Sequence, residues 1–167
     1  MILLEPPDSH FVSAATGWLE LGNGPEAAAE LAGVSPSLAL HPAVLQVWYE
    51  IHAHANRWDL ASETATMWAG AAPDDPDARI KLAYATRRKP GGGLPPAKEI
   101  LAAARQRFPS EELIAYNLAC YECQLGHLPQ ARDLLRAAFK LGNAAHLKRM
   151  SLRDPDLEPL RPEITLM

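Results

Sequence analysis

Apolar residues recur along most of this chain with the three- and four-residue spacing of an α-helix. Side chains spaced in this way fall on one helical face, where they can be buried together. Runs of Val, Ile, Thr and aromatic residues, which favour strands, are scarce. The pattern predicts an all-α protein. The clearest examples are Ala27, Leu31 and Val34, then Ala97, Leu101 and Ala104, then Ala131, Leu135 and Ala138.

A repeated turn predicts that these helices come in pairs. In each turn a Gly or Asn, which tolerates the left-handed conformation at the end of a helix, precedes a Pro or Asp suited to the first turn of the next helix. Four alanines that follow the turns are separated by 34, 36 and 34 residues: Ala27, Ala61, Ala97 and Ala131. Short side chains let antiparallel helices pack closely. We therefore expect these alanines at helix crossings, with larger residues filling the space between pairs: Trp48, Leu82 and Leu118.

The repeat predicts a single domain over residues 1–167. Its third pair is longer by two residues in the segment 89–93, and its first pair departs most from the shared pattern. The expected helix pairs, followed by a capping helix and a tail to residue 167, cover about 9–40, 42–72, 76–108, 110–142 and 144–153.

Residues 115–131 resemble a tetratricopeptide repeat. They read Ala-Tyr-Asn-Leu-Ala-Cys-Tyr-Glu-Cys-Gln-Leu-Gly-His-Leu-Pro-Gln-Ala, with the small, Leu and Tyr positions of the family's first helix, a Gly-containing turn and the alanine that follows it. Residues 78–85 are similar, and the second unit matches at Trp58 and Ala61. The resemblance, to small bacterial-type members of the family, covers about residues 9–143. It implies a right-handed superhelical solenoid of about four antiparallel helix pairs plus the capping helix.

In this family the first helix of each pair lines a concave groove that holds an extended peptide or a partner helix. The resemblance therefore implies a non-catalytic scaffold for a protein or peptide partner. The chaperone-binding members clamp a carboxylate, and that clamp is matched here only at Asn117, although Arg87 and Arg88 could pair with an acidic ligand. The groove positions carried over to this sequence are Gln46, Glu50, Ala53 and His54; Ile80, Tyr84, Arg87 and Arg88; and Tyr116, Cys120, Cys123 and Gln124.

The net charge of −4 is unevenly distributed. Residues 1–76 contain ten acidic residues and one basic residue, whereas residues 77–167 contain ten acidic and fifteen basic residues. The basic half retains too many acidic residues to indicate nucleic-acid binding. The asymmetry instead favours a bipolar partner, or charge-driven self-association in which the acidic end of one copy meets the basic end of another.

The first residues, Met-Ile-Leu-Leu-Glu-Pro, lack the basic region and the long apolar run of a secretory signal. No later apolar stretch is long enough to span a bilayer, so no membrane association is expected. Two cysteines without an export signal predict a cytoplasmic protein.

Cys120 and Cys123 form a CxxC motif, which is the strongest candidate for chemistry. In redox enzymes such a pair sits at a helix N-terminus that lowers the thiol pKa, whereas this pair falls within a predicted helix. A zinc site would add His127, but it lacks a fourth ligand, and Gly126 is expected to end the helix first. Packing or groove lining is therefore favoured over metal or redox chemistry, and no cofactor is expected.

Two other functions remain open beside the peptide-binding scaffold. The same fold could serve as a structural subunit or a secretion-type chaperone in a larger bacterial assembly. A metal- or thiol-dependent enzyme using the cysteine face is the third candidate. His52 and His54 do not add a metal site, because residues two apart on a helix point in different directions.

Overall fold

A computed structural model describes residues 3–167, and these residues are all-helical, with no β-strand among them. The all-α prediction is confirmed. The described helices are α1 (Asp8–Glu20), α2 (Gly24–Leu31), α3 (Pro42–His54), α4 (Trp58–Ala71), α5 (Pro76–Arg88), α6 (Leu94–Arg107), α7 (Glu112–Gln124), α8 (Leu128–Leu141), α9 (Ala144–Arg153) and α10 (Arg161–Leu166). Two short 3-10 segments cover Pro36–Leu38 and Pro155–Leu160.

The turns between the helices have the predicted backbone geometry. Gly22, Asn56 and Gly126 have φ values of 75°, 55° and 81°, in the left-handed region that favours glycine and tolerates asparagine. Each of these residues separates two helices of one predicted pair. The third predicted turn contains two glycines with positive φ, Gly91 and Gly93.

The described chain divides into two compact units, the first of which ends at Gly91. Within it α1 packs on α2, α3 on α4, and α4 on α5. Apolar side chains of α1, α2 and α3 form one cluster, and those of α3, α4 and α5 form a second cluster around Tyr49 and Ala61. Each helix buries its apolar face against its neighbours in sequence, which is how helical-repeat proteins gain stability.

The second unit begins at Gly92. In it α7 packs against both α6 and α8, α9 packs on α8, and α10 packs on α9. The segment Pro155–Leu160 lies mainly on α7. The apolar stripes predicted for α6 and α8 are buried, with Leu101 and Leu135 fully enclosed.

All four alanines that follow the turns are fully buried: Ala27, Ala61, Ala97 and Ala131. A longer side chain at these positions would push neighbouring helices apart. Leu118 is buried as expected, whereas Trp48 and Leu82 are only partly buried beside the two clusters of the first unit.

The second helix of the first pair is shorter than predicted. It ends at Leu31, so Val34 lies outside it. A Cβ on Gly33 would lie 2.8 Å from the ring of Phe11, so the chain passes too close to α1 for a larger residue. Ser35 then donates from its backbone N–H, at 2.6 Å, and from its hydroxyl to the buried carboxylate of Asp8. These contacts hold the chain on α1 in place of further helical turns.

The boundary between the two units falls in the run of three glycines inside the third predicted pair. The bounds of α5 and α6 nevertheless agree with the expected range of 76–108 to within a residue. The tail contains more structure than expected, because residues 161–166 form α10. None of the described helices is both long and apolar enough to cross a membrane.

Candidate functional site

An open cavity of about 450 Å³ lies between α3 and α5 in the first unit. Both helices contribute residues that the sequence assigned to the groove. The predicted residues that line the cavity are Glu50, Ala53, His54, Ile80 and Tyr84. Four further lining residues were not predicted: Tyr49, Asn56, Trp58 and Lys81.

A salt bridge joins the two walls of this cavity. Lys81 Nζ lies 2.6 Å from Glu50 Oε1 and 5.3 Å from the centre of the Tyr49 ring. Because both charged side chains are about one-third exposed, the pair contributes little to stability. Its main effect is electrostatic, since the Glu50 carboxylate is already neutralised by a cation.

Arg88 forms a cation–aromatic stack beside the cavity. Its guanidinium carbon lies 3.4 Å from the centre of the Tyr84 ring and 5.4 Å from that of Trp58, and the two rings meet at 63°. One guanidinium nitrogen donates to the Tyr84 carbonyl oxygen at 3.2 Å. No carboxylate in residues 3–167 pairs with Arg88. Since a guanidinium carries five N–H donors, several remain for a ligand.

Three of the eight predicted groove residues of the first unit do not line this cavity: Gln46, Arg87 and Arg88, the last of which stacks beside it. Gln46 is exposed on α3, and Arg87 is partly buried on α5, but neither side chain lines the cavity. The structure therefore brings together the last two turns of α3 and the middle of α5.

The predicted groove residues of α7 contact the chain's own tail. The Tyr116 hydroxyl donates to Asp154 Oδ2 at 2.8 Å, and Cys120 Sγ lies 3.6 Å from the same oxygen. Gln124 Nε2 donates to the Asp156 carbonyl oxygen at 3.2 Å. Tyr116 and Cys120 are therefore buried where the tail lies, Gln124 contacts the tail but stays exposed, and α3 and α5 border an open cavity.

The tail is an integral layer of the second unit. Leu157, Leu160 and Ile164 are all 0 % exposed. Burying such a side chain completely is worth about 1.5–3 kcal/mol, so displacing all three would cost several kcal/mol. Arg132 also forms a two-pronged ion pair with Glu163, with one bond of 2.8 Å. A ligand competing for α7 would have to replace all of these contacts.

Burial and the tail carboxylates also change the acid–base chemistry of α7. Burial raises the pKa of the Tyr116 hydroxyl, and the neighbouring Cys120 and Asp154 raise it further. Burial, together with Asp156 and Asp154, raises the pKa of the Cys123 thiol. The thiolate is both the nucleophile and the metal ligand, so a raised pKa makes this cysteine less reactive.

His127 does not join the two cysteines in a metal site. Its Nδ1 atom lies 2.6 Å from Glu122 Oε2, and Lys98 Nζ lies 3.0 Å from the other oxygen of that carboxylate. Burial alone would raise the pKa of Glu122, but the hydrogen bonds from His127 and Lys98 outweigh it and hold that pKa below its usual value. Within residues 3–167, no group of three or more His, Cys, Asp or Glu side chains is placed to hold an ion.

Comparison with known proteins adds no family. No protein-family model matches the chain, and no curated protein matches it. The functional assignment therefore rests on the geometry of the cavity and on the chemistry of its walls.

Proposed function

We propose that this chain is a tetratricopeptide-like scaffold that binds a peptide segment of a partner protein between α3 and α5, without catalysis. In this proposal the helix pairs wind as the right-handed solenoid of that family. One observation supports it: five residues on two helices that the family resemblance assigned to a groove line one open cavity.

The walls of the cavity suit a peptide side chain. Its volume of about 450 Å³ falls within the range of roughly 300–1,000 Å³ that is common for ligand sites. Tyr84 and Trp58 offer broad apolar surfaces, and Tyr84 is 38 % exposed. Asn56 and His54 add polar groups that can orient a peptide backbone. Aromatic residues and arginine are the residue types that most often dominate binding energy at interfaces.

A random-peptide library displayed on phage tests this proposal. The intact wild-type chain should enrich peptides that bind with dissociation constants in the micromolar range, which corresponds to about −8 kcal/mol. Tyr84→Ala should weaken these peptides by about tenfold or more, with helicity unchanged by circular dichroism. Met67, which is 46 % exposed on α4 and does not line the cavity, supplies the matched control.

Met67→Ala should leave binding unchanged, because Met67 lies outside the cavity. It is a matched control, since it removes a similar exposed apolar side chain in the same unit. The proposal is wrong if the wild-type chain enriches no peptide. It is also wrong if Met67→Ala weakens the selected peptides as much as Tyr84→Ala does.

A further inference from the structure

The tail segment 154–157, Asp-Pro-Asp-Leu, lies on α7 in the manner of a bound ligand. Tyr116 donates to the carboxylate of Asp154, and Gln124 donates to the carbonyl oxygen of Asp156. Asp154 Oδ1 accepts the N–H of Asp156 at 2.9 Å, so the segment folds into a compact acidic turn. Leu157 follows and is fully buried. In this chain, α7, the first helix of the fourth predicted pair, therefore binds an acidic turn that is followed by a leucine.

Helix α5 is the first helix of the third predicted pair and so corresponds to α7, but it borders an open cavity. Both α5 and α7 contain 13 residues, and aligning their ends pairs Arg88 with Gln124 and Tyr84 with Cys120. Gln124 donates to the backbone carbonyl oxygen of Asp156, and Ile80 takes the place of Tyr116. On α5 the group able to bind a carboxylate is therefore Arg88, which has no carboxylate partner among the described residues. A guanidinium binds a carboxylate through charge-assisted and often paired hydrogen bonds, which are about twice as strong as neutral ones.

The charge that favours an acidic ligand is local to the end of α5, since residues 1–76 of the same unit carry ten acidic residues and one basic residue. Lys81 and Glu50 neutralise each other, and Lys89 donates to the Ser62 hydroxyl at 3.2 Å. Arg88 therefore adds positive charge next to the cavity. The acidic first turn of α5 at Asp77 is eleven residues away, or roughly 16 Å along the helix. This exceeds the screening length of about 8 Å at physiological salt.

We propose that the cavity between α3 and α5 binds an acidic turn of a partner protein, with a carboxylate on Arg88 and a following leucine against Tyr84 and Ile80. This rests on the proposed function and names the ligand class. The chain's own tail is not the occupant, because Leu157 and Leu160 are fully buried in the second unit. The ligand comes instead from a partner that carries the same chemistry.

A fluorescent peptide with the sequence of residues 153–161, Arg-Asp-Pro-Asp-Leu-Glu-Pro-Leu-Arg, is the probe. Anisotropy titration with the intact chain should show saturable binding below about 1 mM. Arg88→Gln, which places the α7 residue type on α5, should weaken binding about tenfold, and Arg88→Glu should abolish it. A peptide with both aspartates changed to asparagine should bind at least about tenfold more weakly.

Leu157→Ala is the control for peptide that displaces the tail. It removes a fully buried side chain of the tail, so a displacing peptide would bind this variant more tightly, whereas peptide on α5 should bind it as it binds the wild type. The inference is overturned if no saturable binding is seen, if Arg88→Glu has no effect while helicity is retained, or if Leu157→Ala raises the affinity about tenfold or more. If library peptides bind in a Tyr84-dependent way but contain no acidic residues, the scaffold function stands and only the acidic ligand is wrong.

Discussion

The Tyr116 hydroxyl donates a hydrogen bond of 2.8 Å to Asp154 Oδ2 and so joins α7 to the start of the tail. The two residues are 38 positions apart, and Tyr116 is only 4 % exposed. The bond satisfies a buried hydroxyl and positions the tail on the face that the repeat assigned to a ligand. The second unit therefore offers this face to its own chain, and the first unit offers an open cavity.

Replacing Tyr116 with phenylalanine should destabilise the protein. The variant loses a hydrogen bond to a charged carboxylate and leaves Asp154 without that donor, so the free energy of unfolding should fall by about 1.5–3 kcal/mol. Urea denaturation followed by circular dichroism measures the change. Tyr84→Phe on α5 is the control and should stay within about 0.5 kcal/mol of the wild type. Equal midpoints for Tyr116→Phe and the wild type would mean that the bond does not hold the tail.

A substitution at Leu157 tests whether the tail is a permanent layer of the second unit. Leu157→Ala should lower the free energy of unfolding by about 2–5 kcal/mol, because it removes a fully buried side chain. Leu166, which is 88 % exposed on α10, is the matched control, and Leu166→Ala should change stability by less than about 0.5 kcal/mol. Similar small effects for both variants would show that the tail detaches readily, and α7 would then be open to ligands.

The helix pairs could be predicted from the sequence because the signals for them are local. A turn glycine such as Gly126, a proline in the first turn of the next helix such as Pro129, and a small alanine such as Ala131 all lie within one stretch of six residues. The shortened α2 could not be predicted, because the approach of Gly33 to Phe11 depends on how α1 and the chain after α2 meet. Local periodicity carries no information about that contact.

The tail's position was also beyond sequence reasoning. Helix α9 ends at Arg153, just before Asp154 and Pro155, because a residue before proline is disfavoured in a helix. That signal does not say where the chain goes next. In the first unit Trp58 matches the family pattern, but nothing in the sequence indicated that it lines the cavity. The spacing of Tyr84 and Arg88 could have indicated their stack, because residues four apart are neighbours on a helix.

The alanine on the second helix of each pair should not tolerate enlargement. Ala97 on α6 is 0 % exposed, so Ala97→Leu should force neighbouring side chains apart and cost about 1–3 kcal/mol. Ala102 on the same helix is exposed, and Ala102→Leu should be nearly neutral. Thermal unfolding of the two variants in parallel measures the difference. If both variants unfold with the wild-type midpoint, the space around Ala97 accommodates a leucine and the helices do not pack tightly there.

The partly buried imidazole of His52 should make the first unit less stable in mild acid. Burial lowers the pKa of His52, and the nearby Arg57 lowers it further, while Asp59 and Glu63 act in the opposite direction. Its Nδ1 atom is buried without a hydrogen-bond partner among the described residues, and its ring stacks on Trp48 at 5.7 Å. The folded protein therefore binds this proton at a lower pH than the unfolded chain does.

As the pH falls below the ordinary histidine value of 6.5, the unfolded chain is protonated first, so stability should decrease until folded His52 is also protonated. Urea denaturation between pH 7.5 and pH 5 should show a smaller loss for His52→Gln than for the wild type, since glutamine removes this proton. His54→Gln, at an exposed position two residues away, should follow the wild-type curve. If His52→Gln loses as much stability as the wild type over this range, the imidazole is not the group that senses pH.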